Sequence, residues 1–454
     1  MRKYFGTDGI RRIANTELTP ELVYKVAKAG AYVLSKHTDH RPTILIGRDT
    51  RISGTLIESA MVAGFLSYGA DVKLLGVIPT PAVAYLTRKL NADASVVISA
   101  SHNTFEFNGI KYFSNKGMKI SDSLEEEIEE VMDSGKIDEL TAISSEIGVS
   151  EYRADLLDEY VYFFRKRFDD NIEKINKKDF VVGIDTANGA TSVVAEKIFK
   201  ALGIKYKVIN NNPDGININK ACGSTHLEAL KKFVVENKLS LGVAYDGDGD
   251  RCLAIDENGN EIDGDKIMAI ISKYLKEKGM LSKNTVVSTI MSNLGLQKYA
   301  KDNSLELIQT KVGDRYVLEE MLKNGYNLGG EQSGHVILLD YNPTGDGILT
   351  SIMLIQAILE NNKKASEMCE IIKLYPQVLI NAKVNSDKKY DYQDNLEIKE
   401  AIEKLEKEFA GNGRVLIRPS GTEPLVRVMI EGEDQEYITK KAKEIASLIE
   451  EKLK

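Results

Sequence analysis

An apolar run, a polar loop, a helical stretch and a second apolar run recur three times along this chain. No other feature of the sequence limits the fold as strongly. The segments are "TILIGRDTRISGTLIESAMVAGFLSYGADVKLLG", "FVVGIDTANGATSVVAEKIFKALGIKYKVIN" and the looser "TVVSTIMSNLGLQKYAKDNSLELIQTK". Each reads as strand, helix, strand, with the first segment's helix opening near Ser53 and Asn188-Gly189 turning out of the leading strand of the second segment. Three βαβ units imply three consecutive α/β domains with mainly parallel sheets, and ligands gather at loops beyond the carboxyl ends of such strands. The tail breaks the rhythm. There "GRVLIRPSGTEPLVRVMIEG" reads as strand, loop and strand, and an amphipathic helix follows, which makes a smaller C-terminal α+β domain. The expected boundaries are 1–153, 154–254, 255–370 and 371–454.

Composition narrows the classes of function. At 454 residues, 43% hydrophobic and 28% charged, the chain suits several globular domains with ample cores. A net charge of -8 argues against nucleic-acid binding, yet local Arg and Lys still allow a small anionic substrate. The N-terminus lacks an apolar leader, and no run reaches the roughly 18 apolar residues a membrane span needs. Cys222, Cys252 and Cys369 are scattered without CxxC spacing, as in a reducing cytoplasm.

Three loops carry chemistry. In "AYDGDGDR", Asp246, Asp248 and Asp250 alternate with two glycines that let the backbone bend the carboxylates toward one point. Dense hard oxygen ligands suit Mg²⁺. An EF-hand is excluded, because Arg251 stands where its glycine belongs and an apolar strand precedes the loop. Three carboxylates on one cation leave it short of ligands, and a phosphate oxygen would complete the set. Arg251 could steady another oxygen. In "RPSGTEPLVR", Arg418 and Arg427 with Ser420, Gly421 and Thr422 offer guanidinium forks, hydroxyls and backbone N–H groups, a cradle for a dianion. In "GGEQSGH", Glu331 and Ser333 suit sugar hydroxyls, and His335 suits proton transfer or phosphate contact.

A fourth loop is ambiguous by itself. "ISASHNTFEFNGIKYF" places Ser101 and His102 at the end of an apolar strand, with Lys111 beyond an Asn-Gly turn, and "FGTDGIRR" supplies Arg11 and Arg12. Ser, Asn and Gly are ordinary turn residues. The aspartate loop and the arginine cradle change the balance, since both call for a phosphate and neither supplies one.

In this order, "FGTDGIRR", "ISASHN…NGIK", "DGDGDR", "GEQSGH" and "RPSGTEPLVRV" resemble the α-D-phosphohexomutases over essentially the whole chain, and most of all their bacterial glucosamine-phosphate branch. The resemblance implies four domains around a central active-site cleft and a cytoplasmic Mg²⁺-dependent phosphoserine enzyme. Its reaction would interconvert glucosamine 6-phosphate and glucosamine 1-phosphate through a 1,6-bisphosphate, toward UDP-N-acetylglucosamine. By motif, Ser101 is the phosphorylated serine and joins Asp246, Asp248 and Asp250 around one metal ion. Glu331, Ser333 and Arg251 contact the substrate; Arg418, Ser420, Gly421, Thr422 and Arg427 hold the non-reacting phosphate. Arg11, His102, Lys111 and His335 fall among phosphate contacts and acid/base groups, with the base itself left open. A hexose 1,6-bisphosphate is the implied activator, a phosphosugar the partner, and a homodimer is admitted.

The related glucose and mannose phosphate mutases share these motifs, and a metal-dependent phosphatase is a more distant alternative. Thr104 stands where the family commonly has Pro, and Phe107 where it has an acidic residue. Both read as changes in loop packing.

Overall fold

The computed structural model describes residues 3–6, 8–175, 179–420 and 423–454. The first sheet has six strands, β1 (Ile10–Ile13), β2 (Thr43–Arg48), β3 (Asp71–Val77), β4 (Ala94–Ile98), β5 (Phe107–Ser114) and β6 (Ser150–Tyr152), ordered β1-β5-β4-β2-β3-β6. The second contains β7 (Val181–Asp185), β8 (Lys205–Ile209), β9 (Leu241–Tyr245), β10 (Cys252–Asp256) and β11 (Glu261–Ile262), ordered β11-β10-β9-β7-β8. The third contains β12 (Thr285–Thr289), β13 (Glu306–Thr310), β14 (Leu328–Gly330) and β15 (Val336–Leu338), ordered β13-β12-β14-β15. β16 (Gln377–Lys383), β17 (Gly413–Pro419) and β18 (Leu425–Gly432) form an antiparallel fourth sheet, ordered β16-β18-β17.

The first three sheets share one topology. Each has a parallel trio, β3-β2-β4, β8-β7-β9 or β13-β12-β14, as the three βαβ segments imply. A return strand, β5, β10 or β15, then adds antiparallel to the last strand of the trio. The loop entering that return strand spans 99–106, 246–251 or 331–335. These are the serine, aspartate and "EQSGH" loops. Every residue of β4 and β9 is buried, the pattern of strands covered on both faces, so neither strand can slip to re-aim its loop.

The chain divides into two compact units, 1–291 with 305–371, and 292–304 with 372–454. Within the larger unit, Tyr160 on the helix Leu157–Ile175 donates its hydroxyl to both oxygens of Asp346, at 2.8 and 2.7 Å. Asp346 also caps the helix Gly347–Asn361 by accepting from Leu349 N. The Asn342 amide joins Asp346 to the carbonyl of Pro81, so one buried polar node ties three stretches of chain. Burial pushes the Asp346 carboxyl up to about 6.

In the smaller unit the sheet packs against the helices Leu396–Phe409 and Gln435–Lys452. The helix Leu294–Asp302, the crossover between β12 and β13, groups with this unit: Asn293 donates to Tyr375 O, and Leu294 N donates to Glu431 Oε2. Among the described residues no helix is long and apolar enough to cross a membrane.

Candidate active site

Ser101 leaves β4 with φ +51°, a left-handed conformation uncommon for a residue with a side chain. Its backbone is held from both sides. Ser101 N donates to Ser99 Oγ at 2.9 Å, and Ser101 O accepts from Arg51 Nη2 at 3.0 Å and from Asn219 Nδ2 at 2.8 Å. Its hydroxyl donates to Asp246 Oδ2 at 2.6 Å. Thr104 and Phe107, the two departures in this loop, both offer their carbonyls to Arg51 Nη1. The buried Arg51 guanidinium thus braces this loop at both positions.

Asp246, Asp248 and Asp250 follow β9, and their ligand atoms lie within 4.8 Å of one another. Gly249 takes φ +74°, and a Cβ on Gly247 would meet Ser101 O at 2.5 Å, so the spacing glycines allow both the bend and the close approach. Asp248 Oδ2 accepts from Lys111 Nζ at 2.9 Å and from Thr80 Oγ1 at 2.7 Å. Among the described residues, Asp248 Oδ1 and Asp250 Oδ1 are buried without a hydrogen-bond partner. Orphaned carboxylate oxygens are rare, and two on one cluster of hard donors fit a divalent cation.

Electrostatics say the same. Burial, followed by the charges of Asp250 and Asp248, pushes the Asp246 carboxyl well above the usual range. Burial would also raise Asp248, yet the Lys111 ammonium, with hydrogen bonds from Lys111 and Thr80, holds it below that range. Burial alone would discharge Lys111, but Asp248, Asp8 and Asp250 hold its ammonium above the ordinary lysine value.

Other candidates lie on the loops around this cluster. Arg11 donates to Asn103 Oδ1 at 3.0 Å and to Asp8 Oδ2 at 2.8 Å. The His102 ring lies 3.4 Å from Ser101 Oγ, and burial, then Arg251 and Arg11, lower it to about 4. Arg251 N donates to Asp246 Oδ1 at 3.1 Å. His335 Nε2 lies 3.5 Å from Asp314 Oδ2 and 3.9 Å from Asp250 Oδ2. Glu331 and Ser333 share the turn that ends in His335, Glu331 N donating to His335 O and Glu331 Oε1 accepting from Gly313 N.

In the smaller unit, Arg418 and Arg427 are direct cross-strand partners on β17 and β18. Like charges directly opposite destabilise a sheet, so the pair is electrostatically ready for an anion. Burial, then Arg427, lowers Arg418. Ser420 is buried in the connecting loop and accepts from Glu423 N at 3.2 Å, while its carbonyl accepts from Lys389 Nζ. Gly421 and Thr422 lie outside the described residues.

Sequence reasoning passed over Arg51, Asn219, Thr80, Asp8, Lys119 and Asp314. Lys119 bridges Asp8 at 2.5 Å and Asp314 at 2.6 Å, linking the N-terminal loop to the residue facing His335. Only Arg51 carried a signal: "RDTR" leaves the carboxyl end of β2, where α/β ligand loops begin.

Profiles described as Phosphoglucomutase/phosphomannomutase match the chain in four consecutive pieces: alpha/beta/alpha domain I over residues 2–138, domain II over 158–259, domain III over 263–375, and the C-terminal domain over 379–448. The phosphoglucosamine mutase of Ruminiclostridium cellulolyticum is 54% identical over 453 residues, and that of Acetivibrio thermocellus 55% over 455, each match covering 100% of both chains. Among solved structures, a phosphoglucomutase/phosphomannomutase family protein from Burkholderia thailandensis superposes with TM-score 0.79 at 20% identity, covering 99% of this chain and 98% of that one. The N-acetylphosphoglucosamine mutase of Aspergillus fumigatus, solved with GlcNAc-6P and magnesium, gives 0.68 at 17% identity over 99% and 96%. At such identities these two likenesses speak for the fold. The full-length sequence matches reach further, and the chain belongs to the phosphohexomutase family, alongside the phosphoglucosamine mutases.

Proposed function

We propose that this protein interconverts glucosamine 6-phosphate and glucosamine 1-phosphate, with Ser101 as the phosphoryl carrier and one Mg²⁺ held by Asp246, Asp248 and Asp250. The observation that carries the reading is the 2.6 Å contact between Ser101 Oγ and Asp246 Oδ2, beside two unpartnered carboxylate oxygens. A phosphate on that oxygen would lie beside hard carboxylate donors suited to a divalent cation. The choice of amino sugar rests on the names of the full-length relatives, and that of magnesium and a phosphosugar is supported by what the Aspergillus fumigatus protein binds.

Mg²⁺ bound there supplies Lewis-acid polarisation of the phosphoryl group. The residues do the rest. A sugar hydroxyl attacks phosphorus on phospho-Ser101; the new P–O bond forms as the P–Oγ bond breaks, and the hydroxyl proton leaves to a base. Lys111 is charged, so it donates to phosphoryl oxygens and cannot accept that proton. His102 is neutral at pH 7 and has acceptor capacity. Glu331 and Ser333 grip sugar hydroxyls, and Arg418 and Arg427 take the non-reacting phosphate with Ser420, Gly421 and Thr422. The 1,6-bisphosphate then turns end for end, and its other phosphate returns to Ser101. Because either end must fit one cradle, that cradle needs generic dianion chemistry. A hexose 1,6-bisphosphate re-phosphorylates any enzyme that has lost its phosphate.

The test is a coupled assay for glucosamine 1-phosphate with Mg²⁺ and the bisphosphate, on wild type and Ser101→Ala. The variant is expected to show no isomerisation. Retained activity would remove Ser101 from the reaction.

A further inference from the structure

The serine loop is gripped by the side chains of two other loops. Arg51 is almost wholly buried at 1% exposure, and its guanidinium donates to the carbonyls of Ser101, Asn103, Thr104 and Phe107. Asp49 orients it, accepting from Arg51 Nε at 2.8 Å, and accepts from Ser99, whose hydroxyl holds Ser101 N. From the second sheet, the Asn219 amide donates to two of the same carbonyls, Ser101 O at 2.8 Å and Asn103 O at 2.9 Å.

The loops that deliver Asn219 are themselves over-determined. Ala187, Asn188, Asn210, Asn219 and Ala221 all have positive φ, from 48° to 57°. Asp185 ties them together, accepting from Ala187 N, Asn210 Nδ2 and Gly223 N. Two stitches join them to the Arg51 loop, Thr50 Oγ1 to Asn188 O at 2.6 Å and Ile52 N to Gly215 O at 2.9 Å. Backbone strain of this density persists only where surrounding contacts enforce it, and it concentrates at working sites.

We propose that Arg51 and Asn219 are positioning residues for phosphoryl transfer: together they pin the carbonyls of Ser101 and Asn103, so that Ser101 Oγ stays within reach of the aspartates in both halves of the reaction. This rests on Ser101 being the phosphoryl carrier. Transfer happens twice per turnover, once from Ser101 and once back to it, and a displacement of about 1 Å can lower such a rate a hundredfold. Arg51 serves four carbonyls because its donors form a planar fork, which a lysine lacks.

Asn219→Gly isolates the effect, since glycine keeps the left-handed backbone and removes the amide. Per folded molecule, judged by near-UV circular dichroism, kcat is expected to fall about ten- to hundredfold while KM for glucosamine 6-phosphate stays within about twofold. A slower second transfer also lets more bisphosphate escape, so the variant should need more added bisphosphate for steady turnover. Arg51→Lys is expected to show the same split. If both variants keep wild-type kcat per folded molecule while Ser101→Ala is inactive, the clamp is refuted and the carrier stands. If activity falls only in proportion to folded protein, the role is structural and the proposal is equally refuted. An active Ser101→Ala removes the carrier, and the clamp with it.

Discussion

Asp246 shows what the site demands of a single residue. Its carboxylate is buried with two others and accepts from Ser101 and from Arg251 N, yet burial and its two acidic neighbours still push it well above the usual carboxylate range. In metal-free protein the cluster is therefore a source of instability that a cation relieves. Asp246→Asn removes one charge and retains an oxygen for Arg251. We expect metal-free Asp246→Asn to be more stable than metal-free wild type, and to be inactive. Adding Mg²⁺ should raise the melting midpoint of wild type and leave the variant nearly unmoved. Equal rises in both proteins, read by scanning calorimetry, would take Asp246 out of the metal site. The aspartates could be read from the sequence because three carboxylates spaced by glycine have few other uses. Asn219 could not, since an asparagine in "NNNPDGININK" looks like any turn residue until the fold brings Ser101 O to its amide.

At the scale of elements, the hairpin of β17 and β18 turns a register into a binding surface. Arg418 and Arg427 face one another because Arg418 pairs with Arg427 across the ladder, and a one-residue slip would send one guanidinium to the opposite face. Arg427→Lys keeps the charge and loses the fork. It is expected to raise KM for glucosamine 6-phosphate about tenfold to a hundredfold, roughly 1.4–2.7 kcal/mol, with little change in kcat. Steady-state kinetics decide; an unchanged KM would show that the hairpin does not hold the substrate. Strand, loop and strand were readable here from alternation and turn residues. The pairing register was not, because it depends on β16 as well, whose Asn381 lies opposite Arg427 on its other edge.

Across the larger unit, the Asp346 node carries a pH signature. Its carboxyl titrates at about 6 in the fold against 3.8 for an ordinary aspartate, so between those values the folded state binds the proton more tightly. Its contribution to stability is complete below about pH 4 and lost as pH rises through about 6, amounting to up to about 3 kcal/mol. Asp346→Asn stays neutral throughout. Denaturant melts should therefore show the variant gaining on wild type between pH 5 and pH 8; a difference independent of pH would mean that Asp346 is ionised across the whole range.

The three βαβ segments make the domain class legible in the sequence, because period and length separate strand from helix. What they hide is the return strand. β10 and β15 are short apolar runs without a helix before them, and no local pattern says which neighbour they will pair with. Those strands make the three sheets alike, and they put the serine, the aspartates and "EQSGH" at the same point of the same topology. Each loop sits in the same socket, between a buried strand and its antiparallel return. The strands that build the cores therefore also aim the chemistry, and repacking a core beneath one of them would shift what its loop does.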